Sequence, residues 1–257
     1  MLTRRRGFPT HVNQDVFNLV YDVGARYERS DKHAYEPAIY HEWTGALLPG
    51  MTVLDIGAHY GFFSLAAALR VGSEGRVYAF EPAPATLQIL RDHVRLNRLD
   101  NRMTVVPQVV GDAEGEVKFY FDGTSMSASV GRSNIEELCP QHHDVITETI
   151  VPCTTIDAFC RAQSIIPGLI KIDVEGAELL ALRGAVETLR NVRPQVLCEI
   201  HPLQMMTLGY AVHDLERFLA GVGYTMTRID QPSPQGIFHA WLARPVQPIH
   251  SSRAAVN

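Results

Sequence analysis

Residues 53–65 read VLDIGAHYGFFSL, and this stretch decides the fold. It begins as a short apolar run, which predicts a buried parallel strand, and continues as an Ala- and Leu-rich segment, which predicts a helix. Between them lie Gly57 and Gly61, which let the backbone turn sharply and let a ligand approach it closely. Asp55 stands where the strand ends, the usual ligand position of an open α/β sheet. The stretch therefore predicts a strand, a glycine turn and a helix whose N-terminus faces a ligand.

A second acid follows at the spacing that nucleotide-binding folds use. Residues 76–81 form a β-rich run that ends in Glu81, about 20 residues after the glycine turn, where an acid accepts hydrogen bonds from ribose hydroxyls. Dinucleotide oxidoreductases and S-adenosylmethionine (SAM) methyltransferases share this arrangement. The dinucleotide fingerprint is Gly-x-Gly-x-x-Gly, whereas this loop is Asp-x-Gly-x-x-x-Gly, so the loop favours SAM over a nicotinamide cofactor. An ordinary tight turn would explain the glycines but not their spacing to Glu81.

A third stretch makes the prediction specific. Residues 169–185 read LIKIDVEGAELLALRGA, which resembles the signature of the FkbM family of SAM-dependent O-methyltransferases. Residues 53–64, 78–82 and 111–117 resemble the same family, so the resemblance covers most of the chain. It implies an α/β class I SAM-methyltransferase fold: a Rossmann-like, mostly parallel, seven-stranded sheet with helices on both faces and a small β extension.

Composition is that of one soluble globular domain. The chain has 257 residues, 46% of them hydrophobic and 20% charged. A net charge of -5 argues against a nucleic-acid partner, because phosphate backbones bind basic faces. We found no apolar run of about 18 residues, so no membrane span is expected. We predict an N-terminal segment at 1–34, a methyltransferase domain at 35–244 with a lid-like insertion at 122–146, and a tail at 245–257.

The expected compartment is the cytoplasm. The basic residues 1–6 are followed by no apolar core, so they do not predict a secretory signal. The cysteines show no CxxC spacing, which is typical of reduced thiols: Cys139, Cys153, Cys160 and Cys198. The expected partner is a small hydroxylated acceptor, and a homodimer is the assembly considered.

The predicted cofactor site combines the glycine loop, the ribose acid and the loops beside them. A helix from Glu36, with Pro37 in its first turn, places Tyr35 and Glu36 where an entry helix can close over the cofactor. His59 departs from the family pattern, in which many relatives carry Asn. The predicted SAM-binding residues are Asp55, Gly57, Ala58, His59, Tyr60, Gly61, Phe62, Glu81, Pro82, Gly111, Asp112, Asp173 and Glu36.

Catalytic candidates follow the neighbouring core strands. In this topology Asp173, Glu199 and His201 meet at the carboxyl ends of adjacent strands. Transfer of a methyl group from sulfonium to oxygen is an in-line displacement, and the acceptor alcohol must also lose its proton. His201, Glu175 or His143 is the candidate base, beside Asp173. Alternatively Mg²⁺ or Mn²⁺, held by Asp173, Glu199 and His201, lowers the pKa of the alcohol.

Several of these residues also have purely structural interpretations. Glu175 and Glu178 stand at a helix start, where acids stabilise the dipole. Lys171 is predicted to be buried and paired, and His201 can cap a strand end. The insertion at 122–146, between two strands of the predicted β extension, is interpreted as a substrate lid or as a disordered connector.

The function predicted from the sequence is SAM-dependent O-methylation of a small molecule. The acceptor is expected to be a sugar or saccharide, or a glycosylated or polyketide-type secondary metabolite. The alternatives are an NAD-type Rossmann oxidoreductase and a non-catalytic SAM-binding protein.

Overall fold

The structure is a computed structural model that describes residues 7–20, 23–24, 35–121, 128–131, 146–229 and 239–246. The strands in these ranges are β1 (Gly7–Val12), β2 (Asp15–Val20), β3 (Thr52–Ile56), β4 (Arg76–Phe80), β5 (Met103–Val106), β6 (Val109–Val110), β7 (Gly115–Phe121), β8 (Ala128–Ser129), β9 (Thr147–Thr154), β10 (Leu169–Ile172), β11 (Gln195–Ile200), β12 (Tyr224–Arg228) and β13 (His239–Pro245). The helices are α1 (Pro37–Ala46), α2 (Phe62–Arg70), α3 (Pro84–Leu96), α4 (Ile156–Gln163), α5 (Glu178–Arg183), α6 (Pro202–Thr207) and α7 (Val212–Gly221), with a π-helical turn at Thr188–Val192.

The central sheet has seven strands in the order β12-β13-β11-β10-β3-β4-β5. The strands are parallel except β13, which runs antiparallel to both of its neighbours. The sequence prediction of a mostly parallel seven-stranded sheet is confirmed. So is the prediction that β3, β10 and β11 are neighbours, which brings their carboxyl ends to one edge of the sheet.

Helices cover both faces of this sheet. Helices α1, α2 and α3 pack on one face around a core that includes Trp43, Leu65 and Leu90. Helices α4, α5, α6 and α7 pack on the other around Leu179 and Leu215. The inner strands are apolar on both faces because both are covered, which is why they appear in the sequence as continuous apolar runs.

A second, small sheet has the order β6-β9-β7-β8, and we call it the small sheet. Strands β7 and β9 pair antiparallel, which confirms the predicted β extension. Strands β6 and β8 were not predicted, because each is only two residues long. Phe119 and Val151 of this sheet pack against Ala83, two residues after Glu81. The small sheet therefore forms a wall beside the predicted ribose acid.

A hairpin precedes the central sheet, where the sequence predicted only an N-terminal segment. Strands β1 and β2 pair antiparallel around a turn in which Asn13 is left-handed, with φ of 52°. Phe17 and Leu19 are buried in the same core as α1 to α3. The Asp15 carboxylate accepts hydrogen bonds from Tyr40 Oη and from Arg70 Nη1, the latter at 2.9 Å. The hairpin is thus fastened to both α1 and α2.

Replacing Asp15 with alanine tests this fastening. The substitution leaves the Tyr40 hydroxyl and the Arg70 guanidinium without their carboxylate, so we expect the free energy of unfolding to fall by about 1–3 kcal/mol. Urea unfolding of Asp15→Ala measures the loss. The exposed Asp100→Ala is the matched control and should leave the urea midpoint unchanged. Equal midpoints for the two variants would contradict the proposed docking of the hairpin.

Two further elements were absent from the sequence prediction: helix α6 and the π-helical turn. The last two strands, β12 and β13, pair antiparallel. Cys153, Cys160 and Cys198 are buried thiols, and Cys139 lies outside the described residues. None of the helices in the described part of the chain combines the length and the apolar character that crossing a membrane requires.

Candidate active site

The glycine loop between β3 and α2 is built from left-handed residues. Gly57, His59 and Gly61 have φ of 83°, 51° and 88°. The amides of Gly57 and Ala58 donate to the Phe80 carbonyl at 3.0 and 2.8 Å. These bonds draw the loop against the end of β4, so the loop and the ribose acid that follows β4 lie side by side.

Glu81 is buried, 6% exposed, and its carboxylate is held by main-chain donors. Oε2 accepts from the amide of His59 at 2.9 Å, and Oε1 accepts from the amide of Ala83 at 2.8 Å. Burial raises the pKa of Glu81 to about 7, although the two amide hydrogen bonds pull it down. Each carboxylate oxygen can accept a further hydrogen bond, which the predicted contact with ribose hydroxyls requires.

The space beside Gly57 is already filled by the protein. A Cβ added there would lie 1.8 Å from the carbonyl oxygen of Asp173. The sequence analysis attributed the need for glycine to close approach of a ligand, and the structure corrects this. Gly57 is required because the chain after β10 passes directly against it, whereas a Cβ at Gly61 would meet Leu90 of α3 at 2.4 Å.

A buried ammonium group organises the acids at the carboxyl edge. Lys171 is 2% exposed, and its Nζ lies 2.8 Å from Asp173 Oδ2 and 3.0 Å from Glu199 Oε1. The same Nζ stands 4.5 Å from the centroid of the Phe63 ring. Lysine is thus the permanent positive partner of two carboxylates that would otherwise repel each other.

The pKa values of these groups follow from burial and from each other. Burial lowers the pKa of Lys171, but Asp173 and Glu199 outweigh it and raise that pKa well above its usual range. Burial raises the pKa of Asp173, and Lys171 and His201 reverse this and hold it below its usual value. For Glu199, burial and then Asp173 raise the pKa to about 7. Lys171 and Asp173 therefore form a charged pair at neutral pH.

His201 precedes α6 and is surrounded by carboxylates. Its Nδ1 lies 2.8 Å from Glu178 Oε1, and its Nε2 lies 3.6 Å from Glu175 Oε2 and 3.9 Å from Asp173 Oδ1. Burial lowers its pKa, but Glu175, Glu178 and Asp173 raise the pKa to about 10. His201 is therefore an imidazolium near neutral pH. An imidazolium has no vacant nitrogen lone pair, so this charge argues against the predicted role of His201 as the general base.

The predicted metal group needs a second correction. Glu199 is committed to Lys171, and the ligand atoms that lie within 4.8 Å of one another belong instead to Asp173, Glu175 and His201. His201 donates from Nδ1 to Glu178, and the buried ammonium of Lys171 already neutralises Asp173 at 2.8 Å. A divalent ion beside this ammonium would be repelled, so the group is a poor fit for Mg²⁺ or Mn²⁺.

The entry helix brings two further residues to this edge. The Tyr35 ring packs edge-on against Phe62 and Phe63, with centroids 5.2 and 6.0 Å apart. Glu36 precedes α1 in a left-handed conformation, with φ of 43°. Its Oε2 is buried and has no hydrogen-bond partner among the described residues. Burial and then Glu199 raise the pKa of Glu36 well above its usual range, which places its carboxyl beside the same acids.

The remaining predicted residues divide into four groups. Asp55 is buried and accepts from Ser64 Oγ, while the carbonyl of Tyr60 lies 2.8 Å from His93 Nδ1. The Gly111 amide donates to Thr154 and Asp112 is exposed, so this pair lies where the small sheet joins the core. His143 and most of the predicted lid lie outside the described residues. Ala58 and Pro82 are in the loops described above and Phe62 is the first residue of α2: Ala58 and Phe62 are buried and Pro82 is half-buried.

Sequence reasoning underrated Glu178. It is fully buried, and its Oε1 accepts from the Gly176 amide at 3.0 Å while it binds His201. The sequence analysis treated it as a helix-dipole acid. The available signal was its position, three residues after Glu175 at the start of α5. We call Lys171, Asp173, Glu175, Glu178, Glu199 and His201 the charged cluster.

Comparisons with known proteins agree on one family. The family model described as "Methyltransferase FkbM domain" matches residues 55–226. The curated relative "31-O-demethyl-FK506 methyltransferase FkbM" of Streptomyces tacrolimicus is 28% identical over 210 residues, covering 72% of this chain and 77% of that protein. "Methyltransferase 1" of Beauveria bassiana is 26% identical over 148 residues, covering 51% and 57%.

One solved structure shares the fold. The crystal structure of Methyltransferase FkbM from Methylobacillus flagellatus KT has a TM-score of 0.54 and 19% sequence identity. The match covers 81% of this chain and 50% of that chain, so the present chain spans half the length of that protein. At this identity the likeness concerns the fold alone, which is that of the class I methyltransferases.

Proposed function

Because the chain belongs to the FkbM methyltransferase family, we propose that it transfers the methyl group of SAM to a hydroxyl oxygen of a small acceptor. The proposal rests on one observation. Glu81, whose carboxylate can still accept hydrogen bonds from ribose hydroxyls, lies at the same edge of the sheet as the charged cluster. The glycine loop bridges them: His59 donates to Glu81, and Gly57 packs on Asp173. The proposed donor site is therefore continuous with the charged cluster, which would remove the proton of the acceptor hydroxyl.

The predicted cofactor residues would face two different parts of SAM, the neutral ribose and the cationic sulfonium. When bound, SAM supplies an electrophilic methyl group on a sulfonium. Glu81 would hold the ribose, and the glycine loop would lie along the donor. Asp173 is charged beside Lys171, whereas Glu36 and Glu199 have raised pKa values. A sulfonium bound nearby would favour the charged forms of these two glutamates, so this edge can accommodate a cationic donor.

The proton of the acceptor hydroxyl requires a base, and we assign this role to Glu175. Its side chain is 32% exposed, the most accessible of the carboxylates around Lys171 and His201. Burial raises the pKa of Glu175, which makes it a stronger base than a solvated glutamate, although His201 opposes the rise. His201 and Lys171 supply fixed positive charge beside the oxygen as it becomes negative, so neither needs to accept the proton.

The acceptor proposed is a sugar or saccharide, or a glycosylated or polyketide-type secondary metabolite. The name of the relative from Streptomyces tacrolimicus describes methylation at an oxygen, which supports a hydroxyl acceptor. The three buried thiols support a reducing compartment, and we propose the cytoplasm. We propose no nucleic-acid or membrane partner, and a homodimer as the assembly.

Calorimetry with S-adenosylhomocysteine and with NAD tests the donor. We expect S-adenosylhomocysteine to bind and NAD not to bind. Binding of NAD alone would overturn the proposal in favour of the oxidoreductase alternative. A protein that binds S-adenosylhomocysteine but methylates no member of a broad hydroxylated library would instead be the non-catalytic alternative.

The affinity for S-adenosylhomocysteine should rise with pH. Glu81 has a raised pKa of about 7 in the protein alone. Ribose hydroxyls that donate to the carboxylate favour its charged form. Protein molecules in which Glu81 is protonated must therefore lose that proton on binding, so the affinity increases as pH rises through 7. We expect about a tenfold gain between pH 6 and pH 8.

Glu81→Gln is the matching variant for this titration. It should weaken binding by roughly 1–3 kcal/mol and remove most of the rise with pH, because its amide does not titrate in this range. A wild-type affinity that is flat between pH 6 and pH 8, or a variant that binds like the wild type, would remove Glu81 from the ribose site.

A further inference from the structure

Strand β8 brings one buried hydroxyl from the predicted insertion to the charged cluster. Ser129 is 1% exposed, and its residue pairs with Tyr120 of β7 in the small sheet. Its Oγ donates to the carbonyl oxygen of Glu175 at 3.1 Å and accepts from the Gly131 amide at 3.2 Å. The small sheet therefore touches the main chain of the residue assigned as the base.

The main chain at Glu175 adopts a conformation that glutamate does not favour. Glu175 has φ of 50° and Gly176 has φ of 102°, so two successive residues lie at positive φ. A Cβ at Gly176 would meet Gln204 of α6 at 2.6 Å, so the turn is pressed against the helix that follows His201. An unfavourable conformation of this kind persists only where neighbouring groups hold it. The hydrogen bond from Ser129 to the Glu175 carbonyl is one such restraint.

We propose that Ser129 is a positioning residue: its hydroxyl holds the Glu175 main chain in the left-handed turn that directs the Glu175 carboxylate at His201. The result of this orientation is the distance of 3.6 Å between Glu175 Oε2 and His201 Nε2. The catalytic consequence rests on the proposed function, because it requires Glu175 to be the base. The geometric claim stands apart from it.

The imidazole of His201 reports the position of Glu175 directly. The described acids that act on the charge of His201 include Glu178 on α5, Asp173 and Glu175 on the loop after β10, Glu199 on β11 and Glu36 before α1. Among these acids, within the described ranges, only Glu175 accepts a hydrogen bond from Ser129, through its main-chain carbonyl. If the Ser129 hydroxyl is removed, Glu175 can turn away while Glu178 keeps its hydrogen bond to Nδ1, and the pKa of His201 must fall.

The test is an NMR titration of the His201 ring in the full chain, with the resonance assigned by its loss in His201→Gln. Glu175→Gln sets the scale, because it removes the charge without removing the side chain. We expect Glu175→Gln to lower the His201 pKa by about one unit or more, and Ser129→Ala to lower it by at least half of that shift. Ser73→Ala removes an exposed hydroxyl and is the matched control, with no shift expected.

Two results would overturn the proposal. One is a His201 pKa that falls in Glu175→Gln but is unchanged in Ser129→Ala. The other is a pKa unchanged in both variants, which would mean that the Glu175 carboxylate is not directed at His201. If thermal melting shows that Ser129→Ala is unfolded, Ser129→Cys keeps the shape with a weaker donor and is judged by the same criterion. Calorimetry with S-adenosylhomocysteine on the same samples reports on the proposed function separately, since it depends on neither residue.

Discussion

Lys171→Met should lower the free energy of unfolding by about 3–5 kcal/mol, the typical cost of removing one partner from a buried ion pair. The substitution retains a chain of similar length against Phe63 and removes only the ammonium. Glu199 then loses its ion pair and Asp173 keeps only His201 as a positive neighbour, at a site where the lysine was 2% exposed and Glu199 was 3% exposed. Guanidinium unfolding measures the loss.

The loss should depend on pH in a definite direction. Removing Lys171 raises the pKa of Glu199 further from its value of about 7 and removes the main cause that lowers the pKa of Asp173. The loss of folding stability is therefore largest above the pKa values that the two carboxyls have in the folded variant. It shrinks as pH falls towards about 4, near their pKa values in the unfolded chain. We expect the deficit against the wild type to be smaller at pH 5 than at pH 8.

Lys118→Met is the matched control for this prediction. Lys118 also pairs with a glutamate, Glu148, at 2.9 Å, but the two side chains are 64% and 41% exposed. An exposed pair contributes little, so the midpoint should stay at the wild-type value. The double variant Lys171→Met, Glu199→Gln should recover part of the lost stability, because one buried charge is removed. Equal effects of the two lysine variants would contradict the account of the cluster.

Gly57→Ala should be the most damaging single-methyl change in the glycine loop. The new Cβ would lie 1.8 Å from the Asp173 carbonyl oxygen, and the residue would also be held at φ of 83°. The left-handed conformation costs about 1–2 kcal/mol, and overpacking adds typically 1–3 kcal/mol. We expect the free energy of unfolding to fall by about 3 kcal/mol or more, with loss of S-adenosylhomocysteine binding as β3 and β10 separate.

Gly50→Ala isolates the contribution of the contact. Gly50 has nearly the same φ, 79°, but a Cβ there meets nothing within 4 Å. It should lose about 1–2 kcal/mol from the backbone alone. If Gly57→Ala costs no more than Gly50→Ala, then Gly57 is needed only for its conformation, and its contact with the chain after β10 carries no weight.

The features that sequence predicted well are those with local causes. Strands β3 and β10 are continuous apolar runs because helices cover both faces, and Gly57 and Gly61 mark the turn because their φ values are positive. Thr155 caps α4, since its side chain accepts from the Ala158 amide. Each of these is decided by residues close together in the chain.

The features that were missed depend on contacts between distant residues. The charge of His201 is set by Glu178, 23 residues earlier, and by Glu175, neither of which periodicity can place beside it. Lys171 was expected to be paired, but its partners could only be known once β10 and β11 were in register. The hairpin at the N-terminus depends on Asp15 meeting Arg70 of α2, 55 residues away.

The central claim is transfer of a methyl group from SAM to oxygen at the charged cluster. The direct measurement uses SAM with a trideuterated methyl group, a panel of saccharides and hydroxylated secondary metabolites, and mass spectrometry with NMR of the product. The account predicts a trideuteromethyl group on an acceptor oxygen, formed by the wild type and lost in Glu175→Gln while S-adenosylhomocysteine still binds. Labelling of a carbon or nitrogen, or full activity in Glu175→Gln, would contradict it.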